Sequence, residues 1–467
     1  MSNKRVILFV LCGLLGLGIL LTSWHLGGRT TGGFAGLFGS RPSIVLIIMD
    51  TLRADKMGCY GFGANTSPEL DAIAKQGVRF SRAVVQCSWT RPSIGSMLTG
   101  LYPRTLGIYK EENDSLNDRF TTLAEALQAQ GYRTIGLTAN PNLNKGYNFH
   151  QGFDHYVDST VVFPWMKPEA GQLPLKEHKL LSAKDLFSKA LEFVGSGEET
   201  PYYIQINVME VHEWYQKPDR SLLRPPFSLM FPGTPNSKYL QSLRQLSKDI
   251  DDFIKALRAL PGLDNTLFVL TSDHGEGLDD HPDVWYSVGH GRYLYESQVM
   301  VPLILYHPGG RLPVGTIEQR VRLLDLMPTV LDYVGIPIPE PVQGISLLPL
   351  IRGETDRIDL PQHFVTETEL RSSHKIAAHS PSWKYIENLE TGKNRYEGYI
   401  PLELQPIGVK ENGAKTNRIA SQQAVADALR SYLREWEARY PKVQTTRREG
   451  AISQKEIEQL KSLGYLQ

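Results

Sequence analysis

I-V-L-I-I-M-D-T at 44–51 is an unbroken apolar run of strand length that ends on a carboxylate. A strand apolar at every position, rather than at alternate ones, belongs to a sheet covered on both faces. The same texture returns at Tyr202–Val208, Leu267–Leu270 and Val301–Tyr306. Segments of helical period lie between these runs. Ser67-Pro68 reads as an N-cap with proline at the first helical position, and Leu70, Ile73 and Ala74 follow on one face. Phe120–Gln130, Tyr239–Leu260 and Leu324–Val334 repeat the idea, and Tyr132–Leu137 adds a strand. The alternation predicts an α/β fold: a mainly parallel central sheet flanked by helices, with ligands gathering at the carboxyl ends of the strands.

Two stretches break this rhythm. Val157–Lys189 carries prolines and mixed charge and reads as an insertion or lid, and Arg220–Lys238 reads as a proline-rich loop. After Gly353 the texture changes again. Phe364–Glu369, Lys375–Ala378 and Trp383–Ile386 look like short strands, and Ile419–Tyr440 carries Val425, Leu429, Leu433 and Trp436 at helical spacing. The expected organisation is a catalytic α/β domain over 42–355 and a small α+β C-terminal subdomain over 356–467.

The totals exclude some classes. Fifty basic and fifty acidic residues leave no net charge over 467 residues, so no global field points to nucleic acid. A 41% hydrophobic content is ordinary for a globular chain. Of three cysteines, Cys12 lies in an N-terminal apolar stretch, and Cys59 and Cys87 leave room for one bridge at most. That stretch, Val6–Thr22, follows Lys4 and Arg5 and has no charge, so 1–26 reads as an uncleaved membrane anchor. Glycine-rich 27–41 reads as a tether, which places the catalytic domain on the extracytoplasmic side, in the periplasm or at the cell surface.

The chemistry is concentrated at run ends. Asp50 closes the first run, and T-S-D-H-G-E at 271–276 closes another with Asp273 and His274, two adjacent metal-ligand types. S-W-T-R-P-S at 88–93 brings a hydroxyl just before an expected helix start, S-I-G-S-M-L-T-G. Strand ends converging on one divalent cation beside a hydroxyl suit attack on a phosphate or sulfate ester. The cation would lower the hydroxyl pKa, and a helix N-terminus favours anions. Two carboxylates with one imidazole suit calcium, manganese or zinc.

The chain resembles the sulfatase family of the alkaline phosphatase superfamily from Pro42 to its end. The resemblance rests on I-V-L-I-I-M-D-T-L-R-A-D-K-M-G-C-Y-G at 44–61, S-M-L-T-G-L-Y-P at 96–103 and T-L-A-E-A-L-Q-A-Q-G-Y-R-T at 122–134. T-S-D-H-G-E-G-L at 271–278, G-H-G-R-Y-L-Y-E at 289–296 and L-L-D-L-M-P-T-V-L-D-Y-V-G at 323–335 complete it. It implies that Asp50, Asp273, His274 and Thr90 surround the cation, with Thr90 as nucleophile, although a threonine here also reads as an N-cap. His212, in V-M-E-V-H-E-W-Y, and His290, in G-H-G, match places where relatives carry groups that protonate the leaving group or bind ester oxygens. Arg91, Arg292 and His281 are candidate substrate contacts, with surface or solvated-loop roles as the alternative. Glu210 is a weaker candidate for a second metal.

The departures are equally informative. A family sulfatase carries Cys-x-Pro-Ser-Arg, whose cysteine becomes formylglycine; here the segment is Thr90-Arg91-Pro92-Ser93-Ile94. Thr51 stands where many sulfatases have a second aspartate, and T-A-N-P at 138–141 replaces a lysine–tryptophan–histidine segment. A formylglycine hydrate expels sulfate by collapsing to the aldehyde, which a threonine cannot do. A phosphothreonine can instead be resolved by water or an acceptor alcohol attacking phosphorus. The expectation is a hydrolase or transferase acting on phosphate-type esters, diester or phosphonate, of a small molecule, glycan or lipid. The alternatives are a sulfatase working without formylglycine and a catalytically silent binder of anionic glycan or lipid.

Overall fold

The computed structural model describes residues 41–109, 114–158, 181–195, 201–212, 234–278, 281, 288–354, 362–370, 373–390 and 399–444. These lie in one compact unit, Pro42–Gln467, apart from Arg41. The first run forms β1 (Ser43–Met49) at the centre of a nine-stranded sheet. The others are β2 (Val78–Val84), β3 (Arg133–Thr138), β4 (His155–Val157), β5 (Tyr202–Val208) and β6 (Thr266–Thr271). After the small hairpin β7 (Gly277–Leu278) and β8 (Val288–Gly289) come β9 (Met300–Tyr306), β10 (Gly315–Ile317) and β11 (Val321–Arg322). The order is β10-β2-β9-β6-β1-β5-β3-β4, with β11 also pairing β2. From β6 across to β4 every neighbour is parallel; β9 is antiparallel to both β6 and β2.

Burial on both faces explains the unbroken apolar strands. In β1, Ile44, Leu46 and Ile48 enter one core, while Val45, Ile47 and Met49 enter the other. Each such side chain withdrawn from water contributes about 1.5–3 kcal/mol. The helices α1 (Pro68–Ala74), α2 (Thr90–Thr99), α3 (Leu123–Gln128), α4 (Ala183–Gly195), α5 (Thr234–Arg258) and α6 (Leu326–Tyr333) cover these faces. On α5, Tyr239, Leu243, Leu246, Ile250, Phe253 and Leu257 recur at three- and four-residue spacing and are all buried in the second core.

A separate antiparallel sheet follows: β12 (Phe364–Leu370), β13 (Ser373–His379), β14 (Trp383–Asn388) and β15 (Leu402–Pro406). Helix α7 (Gln423–Arg439) packs on it through Ala426, Leu429, Leu433 and Trp436, forming a third core that also takes in Tyr102 and Leu324.

Several expectations change in detail. Helix α2 begins at Thr90 itself, with Trp89 as its extended N-cap, so Thr90 is the first helical residue and not the cap. Ser67 precedes α1 but makes no capping bond; its hydroxyl donates to Asp71 at 2.9 Å instead. Part of the expected insertion Val157–Lys189 is ordinary scaffold, because α4 starts at Ala183 and buries Leu186, Phe187 and Ala190. Residues 159–180 and 213–233, which hold the rest of both candidate loops, lie outside the described residues. Cys59 and Cys87 are free thiols. The expected membrane-anchored localisation is corrected: among the described residues no helix is long and apolar enough to cross a membrane. The run Val6–Thr22 on which it rested, like the rest of 1–40, lies outside them.

Candidate active site

Four parallel strands, β6, β1, β5 and β3, deliver their carboxyl ends to one place. Asp50 follows β1 and is anchored by its N–H to the Val208 carbonyl at 2.9 Å. Asp273 and His274 follow β6, and a side-chain atom from each of Asp50, Asp273 and His274 falls within 4.8 Å of the others. All three residues are fully buried. The next residue after Asp50 helps to hold the geometry. Thr51 takes φ +61°, an uncommon conformation for a β-branched residue. Its N–H donates to Asp273 Oδ1 at 3.2 Å, and its carbonyl accepts from Tyr239 at 2.9 Å.

The nucleophile candidate enters from α2. Thr90 Oγ1 lies 3.3 Å from His274 Nε2. Three residues along the helix, Ser93 Oγ donates to the Asp273 carbonyl at 2.5 Å and pins α2 to the end of β6. On the far side of His274 sits His290, ring centroids 4.4 Å apart, and His212 lies 5.3 Å from His290. Glycines on either side of His290, at φ +95° and +81°, let the chain swing that imidazole inward. Glu276 Oε2 lies 3.3 Å from His290 Nδ1. His212 is buried, and burial together with the nearby His290 and His274 holds its pKa well below 6.5, so it is neutral at pH 7.

Asp50 Oδ1 and Asp273 Oδ2 are buried and have no hydrogen-bond partner among the described residues. Burial, then repulsion by Asp273, pushes the Asp50 pKa well up, against the donor Asn140. Two buried carboxylates in contact are costly unless a cation neutralises them. His274 Nδ1 lies 2.9 Å from the Gly275 carbonyl; donation there leaves the Nε2 lone pair for the cluster. The donor set therefore fits one divalent cation, and its imidazole tilts it towards the transition metals.

The structure thus brings together Asp50, Thr90, Asp273, His274, His212 and His290. Three of the other candidates, Arg91, His281 and Glu210, are bonded to partners outside this group. Arg91 is fully buried, with its guanidinium stacked 4.0 Å over Tyr147 and bonded to the Asp114 carbonyl. His281 Nδ1 lies 2.5 Å from the Glu411 carbonyl and Nε2 lies 3.0 Å from Ser297 Oγ, which suits a structural tie. Arg292 is half-buried and close enough to Lys375 to disfavour its charge. The Glu210 carboxylate accepts from the Ala183 N–H. Sequence reasoning missed Glu276, Ser93 and Asn140. T-A-N-P had registered as a departure from a family pattern, while Glu276, two residues beyond His274, could have been found by its place in the D-H-G-E turn.

Residues 42–336 match the family described as Sulfatase. The chain belongs to the sulfatase family. Residues 285–397 also match the C-terminal region of N-sulphoglucosamine sulphohydrolase. The Delta 4,5-hexuronate-2-O-sulfatase of Bacteroides thetaiotaomicron is 23% identical, over 83% of this chain and 88% of that protein. Arylsulfatase A of Homo sapiens is 27% identical, over 68% of this chain and 69% of its own. The phosphonate monoester hydrolase of Agrobacterium radiobacter superposes with a TM-score of 0.64 at 17% identity, covering 86% of this chain and 96% of that one. At that identity the likeness concerns the fold alone. Family membership makes this chain an ester hydrolase, with the buried Asp50–Asp273–His274 group consistent with its metal site.

Proposed function

We propose that this sulfatase-family hydrolase cleaves a phosphate-type ester, a diester or a phosphonate monoester, with Thr90 as its nucleophile. The observation that carries the reading is the Thr90 hydroxyl at the start of α2, 3.3 Å from His274 in the buried Asp50–Asp273–His274 cluster. A divalent cation held by Asp50, Asp273 and His274 would lower the proton affinity of that hydroxyl and offset charge on the ester. Thr90 Oγ1, its proton passed to solvent water, forms a bond to phosphorus as the bond to the leaving oxygen breaks. The leaving oxygen takes a proton from His290, whose other nitrogen faces the Glu276 carboxylate in the manner of an oriented acid–base pair. His212, neutral and buried, serves as a hydrogen-bonding contact to an ester oxygen. Water, or an acceptor alcohol, then attacks phosphorus and gives its proton to His290 as the bond from phosphorus to Thr90 Oγ1 breaks, and Thr90 Oγ1 takes a proton back from solvent. On this reading 42–355 holds the reacting groups and 356–467 buttresses them.

A second reading, sulfate-ester hydrolysis, is favoured by the relatives, which include sulfatases named for hexuronate, N-acetylglucosamine and ulvan. Threonine lacks the second hydroxyl through which a formylglycine hydrate releases sulfate, so the phosphate-type reading stands first. The test is turnover by the full chain, supplied in turn with calcium, manganese and zinc, on nitrophenyl diesters, phosphonates, phosphate monoesters and sulfates, beside Thr90→Ala. Diester or phosphonate turnover that falls about a thousandfold or more in Thr90→Ala is the expected result. Sulfate as the dominant substrate would overturn it.

A further inference from the structure

Asn140 sits between the candidate nucleophile and the candidate metal ligand. It follows β3, is fully buried, and its Nδ2 donates to Asp50 Oδ2 at 2.5 Å and to Thr90 Oγ1 at 3.4 Å. The orientation of its amide is determined by what surrounds it. Its Oδ1 accepts from the Asn142 N–H at 2.8 Å, and its own N–H donates to Thr138 Oγ1 at 3.0 Å. Exchanging the amide oxygen and nitrogen would set a donor against the Asn142 N–H and an oxygen against the Asp50 carboxylate. Pro141, directly after it, lacks an N–H and starts the short turn Pro141–Leu143 that the Asn140 side chain caps.

We propose that Asn140 is a catalytic residue, whose two side-chain N–H bonds serve Asp50 and the reacting oxygen of Thr90 at once. This rests on the reading of Thr90 as nucleophile. A primary amide carries two donors and one acceptor here, and all three have partners. The bond to Thr90 Oγ1 is long while that oxygen is a neutral hydroxyl. It strengthens when the hydroxyl loses its proton, and again when Thr90 Oγ leaves phosphorus in the second half of the reaction. Donors aimed at charge that develops only in the transition state contribute to rate, not to ground-state binding. An ammonium in this place would also donate, but would add positive charge beside the cation. The amide adds none, so two carboxylates and a dication stay balanced.

The alternative role, a cap for the turn at 141–143, is separable by substitution. Asn140→Asp retains an acceptor for the Asn142 N–H and is an equally good cap, but donates to neither partner when ionised. Asn140→Ala removes cap and donors together. Both are measured as the full chain on a nitrophenyl diester, with Thr90→Ala beside them and with Mn(II) affinity read by calorimetry. The expected result is a kcat about 100-fold lower in both variants, KM within about threefold of wild type, and Mn(II) bound by Asn140→Asp no more weakly than by wild type. A kcat for Asn140→Asp within about threefold of wild type, or a loss fully restored by excess Mn(II), would overturn the proposal. Undiminished turnover by Thr90→Ala would instead remove the reading beneath it, whatever Asn140 does.

Discussion

Asp50 and Asp273 are two carboxylates buried side by side, each with one oxygen that accepts no hydrogen bond among the described residues. A cation that binds only the folded chain must then raise its stability. Adding Mn(II) to chelator-treated protein is expected to raise Tm, and Asp273→Asn to lose most of that rise; equal shifts in the two proteins would argue against the site. A second residue sets a pH dependence. His379 is fully buried, bonded to Thr366 Oγ1 at 2.8 Å and stacked on Phe364, and burial holds its pKa well below 6.5. Above pH 6.5 it is neutral folded or unfolded. Below that, the unfolded chain takes a proton that native His379 refuses, so stability falls as pH drops, by about 1.4 kcal/mol per unit at most. Urea midpoints at about pH 7.5 and 5.5 should lie further apart in wild type than in His379→Gln, and identical spacing would count against this assignment. At this scale the sequence exposed Asp50, Asp273 and His274, because ligand-type residues at the ends of apolar runs stand out. Asn140 and Ser93 did not, since an amide or a hydroxyl in a loop has many ordinary uses.

The elements were the most legible level, and helix α5 shows why. Its apolar residues hold helical spacing from Tyr239 to Leu257, and all of them face the second core. Leu246→Ala, at a site with no exposure, should cost about 2–5 kcal/mol in urea unfolding. Helix α3 is set by a capping box in which Thr122 and Glu125 exchange hydrogen bonds, so Thr122→Ala should cost about 1 kcal/mol by the same assay. Among the elements that escaped was β2. Its V-R-F-S-R-A-V run alternates and has a bulge between Phe80 and Ala83, and its charged residues mask a strand that pairs antiparallel with β9. Similarly α4 was hidden because the proline-rich stretch before it coloured the reading of the whole segment.

Across the whole molecule, a buried set of charges ties the small sheet to the loop that follows His274. Lys384 of β14 has no exposure and reaches Glu296 at 3.0 Å, Glu411 at 2.6 Å and the Leu294 carbonyl at 2.7 Å. Arg320 also pairs with Glu296. The one-turn helix Glu296–Val299 then carries the tie to the active site, since the carbonyls of Gln298 and Ser297 accept from the N–H groups of Gly275 and Glu276. Lys384→Met would leave Glu411 buried without its cation and should cost about 3–5 kcal/mol, read in urea unfolding. A cost under about 1 kcal/mol would show that the charges rearrange freely.

By itself the sequence determined the α/β class, the central place of Ile44–Met49, the family, and the metal-ligand types at strand ends. These are properties of local pattern: apolar period, turn chemistry and residue type are all set within a few neighbours. Only the tertiary structure decided which polar residues meet. Strands β1, β3, β5 and β6 are distant in the chain, and their parallel register alone brings Asp50, Asn140, His212 and Asp273 to one end of the sheet. The same packing drew Arg91 onto Tyr147 and His281 onto Glu411, because a buried donor takes the nearest acceptor or ring face that the fold offers it.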